Sequence, residues 1–278
     1  MKVTTIIITY VICCINPVFP QSNFYPWLQA YNSSQTIVSR IQVPDGYERI
    51  KTFSNSFQNW LRNLPLKKGN PPVYLFNGNK KGNQAAHFAV IEIDVGSKDL
   101  QQCADAVIRL RSEYIYSLGK YAAIHFNYTS GDRADFSEWI TGYRPVVKRN
   151  KVNWVKSAKV DSCYSNFRKY LDKVFMYAGS FSLNKELHRV NNMKKMKIGD
   201  VFIEGGFPGH AVIVIDMAVN RKTGKKLFLI AQSYMPAQDI HVLKNPSNSK
   251  LSPWYELNFG ETLYTPEWTF SKNQLKRF

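Results

Sequence analysis

The sequence predicts an α+β fold in which an antiparallel sheet packs against a long helix. The first indication is a set of apolar segments at residues 200–203, 211–218 and 227–232, the last two joined by a polar, Gly-containing turn at 220–224. The second is the stretch 100–118, where apolar residues recur every three or four positions, as on one face of a helix. Helical patterns dominate the middle of the chain and strand patterns its C-terminal half, so we expect separate layers.

The remaining elements follow from caps, breakers and periodicity. Before the long helix, the sequence predicts an edge strand at 36–43, a helix at 57–64 capped from within Ser54-Asn-Ser56, and strands at 72–76 and 87–95. After the long helix, we expect a strand at 122–128 and helices at 136–140, 161–177 and 183–190, the last capped by Ser182. Closing strands are predicted at 240–243, 254–259 and 263–270.

Composition limits the classes of function. The 278 residues are 44% hydrophobic and 14% aromatic, which is enough for a sizeable core. The net charge of +17 favours anionic neighbours. However, the densest basic runs, 194–197 and 221–226, do not alternate with aromatic residues as a nucleic-acid groove does, so we predict no nucleic-acid partner. Either a solvated basic face or a surface that binds an anionic polymer fits this charge.

The N-terminal residues indicate the compartment. Lys2 precedes a short apolar stretch that ends near residue 18, which is typical of a secretory signal peptide. We therefore predict a signal peptide at 1–20, a linker at 21–35 and a single α+β domain at 36–278, in an extracytoplasmic protein that has no membrane span after signal removal. Lipidation of Cys13 or Cys14 is the alternative that would anchor the chain to a membrane.

Cys103 is the candidate nucleophile. It falls in the first turns of the predicted long helix, where the helix macrodipole favours a thiolate. Cys103 also lies on the apolar stripe of that helix, so core packing is an alternative. A disulfide with Cys163 is another, because the two cysteines would share an oxidising compartment.

His210 and Gln232 complete a candidate catalytic arrangement. His210 enters a strand after the glycine-rich loop 205–209, and Gln232 ends the next strand of the meander. Adjacent antiparallel strands would bring the amide of Gln232 to the imidazole and orient it as the third member of a triad does. Gln102 or the backbone N–H of Cys103 is the candidate oxyanion donor. The other histidines lack metal-ligand spacing, so we predict no metal and no cofactor.

This order of residues resembles the papain-like superfamily, in particular the NlpC/P60 peptidases. The phrase GDVFIEGGFPGHAVIVID, residues 199–216, is similar to the strand that begins with Gly-Asp and the histidine strand of those enzymes. The resemblance implies a papain-like core and a cysteine peptidase or amidase activity. The chain departs from the pattern of those enzymes in two ways. Gln102 stands where they have an aspartate, and the spacing from Cys103 to His210 is longer.

A second resemblance covers nearly the whole chain that follows the predicted signal peptide. The segments LRNLPLK, DLQQCADAVIRLRSEY, YAGSFSL, PGHAVIV, QSYMPAQ and SPWY are similar to the bacterial secreted family called domain of unknown function 4846. That family implies no activity.

From the candidate catalytic residues and the first resemblance, the sequence predicts an extracytoplasmic cysteine hydrolase or amidase of peptide or cell-wall peptide bonds, with Cys103, His210 and Gln232 as catalytic residues. The alternative is a non-enzymatic envelope protein whose basic surface binds an anionic polymer.

Overall fold

A computed structural model of the protein describes residues 24–149 and 151–278. The predicted signal peptide, with Cys13 and Cys14, lies outside the described residues. Part of the predicted linker is described, and it packs on the domain. Tyr25 is buried, its hydroxyl donates to the carbonyl of Trp60 at 2.9 Å, and the Trp60 indole donates to the carbonyl of Phe24 at 2.7 Å.

The α-helices of the described residues are short, apart from the third and the fifth along the chain, which have 15 and 14 residues. They are α1 (Ile37–Arg40), α2 (Phe57–Arg62), α3 (Cys103–Ser117), α4 (Phe136–Ile140), α5 (Tyr164–Tyr177) and α6 (Ser180–Glu186). Helix α3 lies within the stretch 100–118 that was predicted to be helical, and it begins at Cys103 rather than at Leu100. Ser56 caps α2 as predicted, because its side chain accepts from the N–H of Asn59.

The strands form one large sheet and three small hairpin sheets. They are β1 (Glu48–Arg49), β2 (His87–Val90), β3 (His125–Asn127), β4 (Arg133–Asp135), β5 (Tyr143–Lys148), β6 (Lys151–Lys156), β7 (His188–Arg189), β8 (Val201–Glu204), β9 (His210–Val219), β10 (Lys226–Gln232), β11 (His241–Leu243), β12 (Tyr255–Glu256), β13 (Thr262–Tyr264), β14 (Thr269–Ser271) and β15 (Leu275–Arg277). The order in the large sheet is β2-β11-β10-β9-β8-β15-β7, with β1 also paired to β9 and β12 to β10. Every pairing is antiparallel.

The central strands β8, β9 and β10 carry the core. Nearly every residue of β9 and β10 is buried, and α2 and α3 pack against β9. This confirms a mixed fold of helices and an antiparallel sheet. The predicted meander is also observed, with β8 paired to β9 and β9 paired to β10.

Residues 36–43 were predicted as an edge strand, and this prediction is wrong. The segment forms helix α1, because Thr36 accepts a hydrogen bond from the N–H of Ser39 at 3.3 Å and caps it. Ile37 and Ile41, four positions apart, are both buried, which is helical spacing. The alternation of apolar and polar residues was therefore coincidental.

Two further predictions need correction, and one element was missed. Helix α6 begins at Ser180, because Ser182 lies in its first turn and reaches back to the N–H of Gly179 at 3.1 Å. Residues 72–76 form isolated bridges to Lys80 and Gln238 in place of a strand. The hairpin of β5 and β6 was not predicted at all. Its strands are half exposed and rich in lysine, so they lack an apolar signal.

No helix among the described residues combines the length and the apolar character needed to cross a bilayer.

Candidate active site around Cys103 and His210

The site begins where α3 meets the start of β9. Cys103 is the first residue of α3, and Asp105 stabilises this helix start by accepting the backbone N–H of Gln102 at 3.1 Å. The Cys103 thiol donates to the carbonyl oxygen of Gly209 at 4.0 Å. Burial raises the pKa of this thiol, and the backbone N–H groups of Ala211, Ala104 and Cys103, which face the same sulfur, offset only part of that increase. The thiol therefore lies beside the two residues that flank His210.

Gly209 makes this close packing possible. A Cβ atom at residue 209 would lie 2.7 Å from the carbonyl oxygens of both Glu204 and Gly206, too close for any other side chain. The absence of a side chain lets the loop before His210 fold tightly onto β8 and α6. The glycine directly before His210 therefore serves backbone packing within the loop.

The His210 ring contacts Gln232 directly. Its Nε2 lies 2.8 Å from the amide oxygen of Gln232, and both residues are only 1% exposed. The register explains this contact, since Ala231 pairs with Ile213. Gln232 consequently lies opposite Val212, which shares a face of β9 with His210. The structure therefore brings together two of the predicted site residues as adjacent strands should.

Two neighbours fix the direction of the Gln232 amide. Its Nε2 donates to Glu267 Oε2 at 2.8 Å and approaches His241 Nε2 at 3.4 Å. The other nitrogen of His241, Nδ1, faces the carbonyl oxygen of Asp239 at 2.8 Å and must donate to it, so Nε2 of His241 is an acceptor. The amide nitrogen thus faces two acceptors, and the amide oxygen faces His210.

This arrangement sets the tautomer of His210. An amide oxygen only accepts, so the proton of the neutral ring is on Nε2. Nδ1 then carries a lone pair and is available as a base. Lys81 completes the chain of contacts, because its Nζ lies 2.5 Å from Glu267 Oε1 and holds that carboxylate in place.

Burial dominates the electrostatics of both reactive groups. It raises the pKa of the Cys103 thiol to about 11, with a further increase from Asp105. It also lowers the pKa of His210 to about 4, although the bond to Gln232 acts in the opposite direction. The pair is therefore neutral at pH 7. This differs from the thiolate expected from the helix macrodipole, because desolvation outweighs the dipole.

The remaining predicted residues have local roles. The Gln102 side-chain amide donates to Asp99 Oδ1 at 3.1 Å, at the start of the helix. Cys163 is exposed, and both it and Cys103 have free thiols. Among residues 24–149 and 151–278, no cluster of three His, Cys, Asp or Glu side chains is arranged as metal ligands would be.

Sequence reasoning missed Lys81 and Glu267. Lys81 follows a turn that reads as ordinary surface, and Glu267 lies between β13 and β14, far along the chain. The only local signal is the flanking Trp268, whose ring lies 5.3 Å from the His210 ring. Tyr234 also contacts this ring, at 4.7 Å, and it follows the predicted strand of Gln232 by two residues.

Comparison with known proteins gives a family without an assigned activity. No curated protein and no solved structure matches the chain. One family model does match, described as Domain of unknown function (4846), and it covers residues 37–277. That range spans all the site residues described above, from Lys81 to Glu267. The chain therefore belongs to the family defined by domain of unknown function 4846.

Proposed function

We propose that the protein is a cysteine hydrolase or amidase that cleaves peptide bonds, with a core like that of the papain-like enzymes. The observation that carries this proposal is the orientation of His210 by Gln232, which leaves Nδ1 as a base on the residue that directly follows Gly209, the residue whose carbonyl accepts from the Cys103 thiol. A nucleophile, a base and a residue that orients the base are the minimum for nucleophilic acyl transfer. Cys103, His210 and Gln232 take these roles.

The first chemical step starts from the neutral pair. As the sulfur of Cys103 attacks the substrate carbonyl carbon, the thiol proton passes to Nδ1 of His210, which becomes imidazolium. The C–S bond forms and the carbonyl π electrons move onto oxygen. Gln232 Oε1 keeps its hydrogen bond to Nε2–H throughout and stabilises the charged ring. A partly buried thiol of raised pKa favours such concerted transfer, since a free thiolate would be rare at neutral pH.

The oxyanion forms beside the start of α3. There, the backbone N–H of Cys103 is the donor favoured by position, since the first N–H groups of a helix have no partner within it. The Gln102 amide is the second candidate, in competition with its bond to Asp99. Collapse of the intermediate breaks the C–N bond, and His210 Nδ1 returns the proton to the leaving amine. Water then hydrolyses the thioester with His210 again as base.

Aromatic side chains shield the imidazole from solvent. The rings of Tyr234, Trp268 and Phe270 lie 4.7, 5.3 and 5.9 Å from that of His210. A ring excluded from water holds its hydrogen bonds more strongly.

We place the activity outside the cytoplasm, on peptide or cell-wall peptide bonds, as the N-terminal sequence suggests.

The test is hydrolysis of soluble peptidoglycan fragments and short peptide amides, with a peptidyl electrophile to trap the nucleophile. Cys103→Ser should reduce turnover roughly a thousandfold, and mass spectrometry should find the electrophile on Cys103 only. Cys163→Ser is the matched control, because it removes an exposed thiol, and it should act like wild type. Unchanged turnover in Cys103→Ser, or trapping on Cys163 alone, would remove the mechanism.

A second candidate function is the binding of an anionic polymer by a non-enzymatic protein. It is favoured by one cavity of about 940 Å³ that is lined by both basic runs, through Lys194, Lys225 and Lys226. This candidate predicts binding to an anionic polysaccharide that falls steeply with salt and does not change in Cys103→Ser. Binding that persists at high salt contradicts it.

A further inference from the structure

A second cavity, of about 440 Å³, lies at the other end of α3 from Cys103. It is lined by the start of α2, the C-terminal half of α3, the loop before β8 and the end of β15. Arg111 lies eight residues after Cys103, which corresponds to about 12 Å along the helix axis. This volume is within the range of sites for small molecules.

Arg111 has an unusual environment within this cavity. Its guanidinium lies 5.0 Å from the centre of the Phe57 ring and 5.3 Å from that of Phe278, so aromatic faces hold it. In the part of the chain that the structure describes, its only side-chain contacts of this kind are with these two rings, and its nitrogen atoms are not among the buried polar atoms that lack a partner, so they are open to solvent. A half-buried guanidinium with vacant donors favours an anion as its partner.

The position of Phe57 is itself fixed. Gly199 has a φ of +92° and approaches this ring so closely that a Cβ atom there would lie 2.9 Å from Phe57 Cδ1. Glycine tolerates both the backbone conformation and the close contact. The packing of Gly199 therefore fixes the position of the Phe57 ring that contacts Arg111.

The other charges around the cavity are also positive. Lys120 and Lys197 line it, are exposed, and form no ion pair among the described residues. The one acidic side chain in its lining, Asp200, is already bound by Arg277, with distances of 2.6 and 2.8 Å to its two oxygens. Arg111, Lys120 and Lys197 therefore line this space without an ion pair, and no acidic side chain of the lining is left unpaired among the described residues.

We propose that this cavity binds the phosphate monoester group of a small ligand, with Arg111 as the principal contact. A phosphate monoester carries nearly two negative charges at neutral pH and accepts hydrogen bonds on three oxygens, which suits one guanidinium fork and two ammonium groups. A carboxylate brings a single charge and would leave more of the positive potential unbalanced. The site is independent of Cys103 chemistry and of any activity there.

Isothermal titration of the full chain in about 150 mM NaCl tests the site with inorganic phosphate, pyrophosphate, dimethyl phosphate and citrate. Phosphate or pyrophosphate should bind one per chain, and dimethyl phosphate, a diester with a single charge, should bind far more weakly. Arg111→Gln should weaken phosphate binding about tenfold or more. Lys156→Gln, which removes one positive charge from an exposed position on β6, should leave it unchanged.

The exposed rim residue Lys197 gives a variant that does not depend on core packing. Lys197→Gln should weaken binding about threefold and leave the melting temperature unchanged. The proposal is overturned if wild type gives no saturable heat with millimolar phosphate or pyrophosphate. It is equally overturned if Lys156→Gln weakens binding as much as Arg111→Gln, or if citrate binds while phosphate does not.

Discussion

The amide nitrogen of Gln232 donates to the carboxylate of Glu267 at 2.8 Å, and this contact determines which atom of Gln232 faces His210. An amide at the end of a flexible side chain can turn over and present either oxygen or nitrogen. With Glu267 and His241 both acting as acceptors, only one orientation satisfies all three partners.

Glu267→Gln should therefore disturb the tautomer of His210 without removing any atom that contacts it. A glutamine at 267 can donate as well as accept, so the Gln232 amide loses its preferred direction. We expect the imidazole nitrogen NMR shifts to change from a pure Nε2–H ring to a mixture of tautomers, and any hydrolysis to fall about 10- to 100-fold. The control is Glu261→Gln, an exposed glutamate paired with Lys272, which should change neither. An unchanged His210 spectrum in Glu267→Gln contradicts the orienting role.

The ion pair of Lys81 and Glu267 should contribute strongly to stability, because the two side chains are only 6% and 11% exposed. Lys81→Met leaves the carboxylate buried without its cation. We expect the free energy of unfolding in urea to fall by about 3–5 kcal/mol. The double variant Lys81→Met with Glu267→Gln should recover part of that loss, since neither charge is then left alone. If the double variant loses as much free energy of unfolding as the two single variants lose together, the two side chains are not coupled.

His210 should make the protein less stable as the pH falls below neutral. Its pKa in the fold is about 4, below the usual 6.5, so the unfolded chain binds a proton in this window and the folded chain does not. The stabilisation is complete above pH 6.5 and is lost as the pH falls towards 4, by up to about 1.4 kcal/mol per pH unit. Urea unfolding of His210→Gln should show a shallower decline than wild type.

The control for that series is His188→Gln, an exposed position on β7, which should reproduce the wild-type decline. Because other groups titrate in the same window, including His241 with a pKa lowered to about 3, only the difference between variants reports on His210. Identical slopes for wild type and His210→Gln would show that the ring is not desolvated.

Cys103 should resist alkylation at neutral pH. With iodoacetamide at pH 8, mass spectrometry should find the exposed Cys163 modified first, and the rate at Cys103 should rise only as the pH approaches 11. In urea both thiols should react at similar rates. Faster reaction of Cys103 at pH 6 to 7 would instead indicate a thiolate–imidazolium pair and a different first step of catalysis.

Sequence reasoning identified the residues of this site whose positions follow from local patterns. His210 and Gln232 meet because a hairpin fixes the register between their strands, and apolar runs reveal such a hairpin. Glu267 and Lys81 are 186 positions apart, and their contact depends on how distant segments pack, which no periodicity encodes. The same reason explains the error at 36–43, where a side-chain cap and tertiary burial, rather than alternation, decided between strand and helix.

The position of β15 between β8 and β7 has a consequence for synthesis. Strand β8 is synthesised some seventy residues before β15. Until β15 has formed, the backbone N–H and C=O groups on the edge of β8 that faces away from β9 therefore have no partner. An unprotected strand edge invites pairing with another nascent chain. A chain that lacks β15 should therefore leave this edge of β8 open and associate with other chains more readily than the full-length chain does.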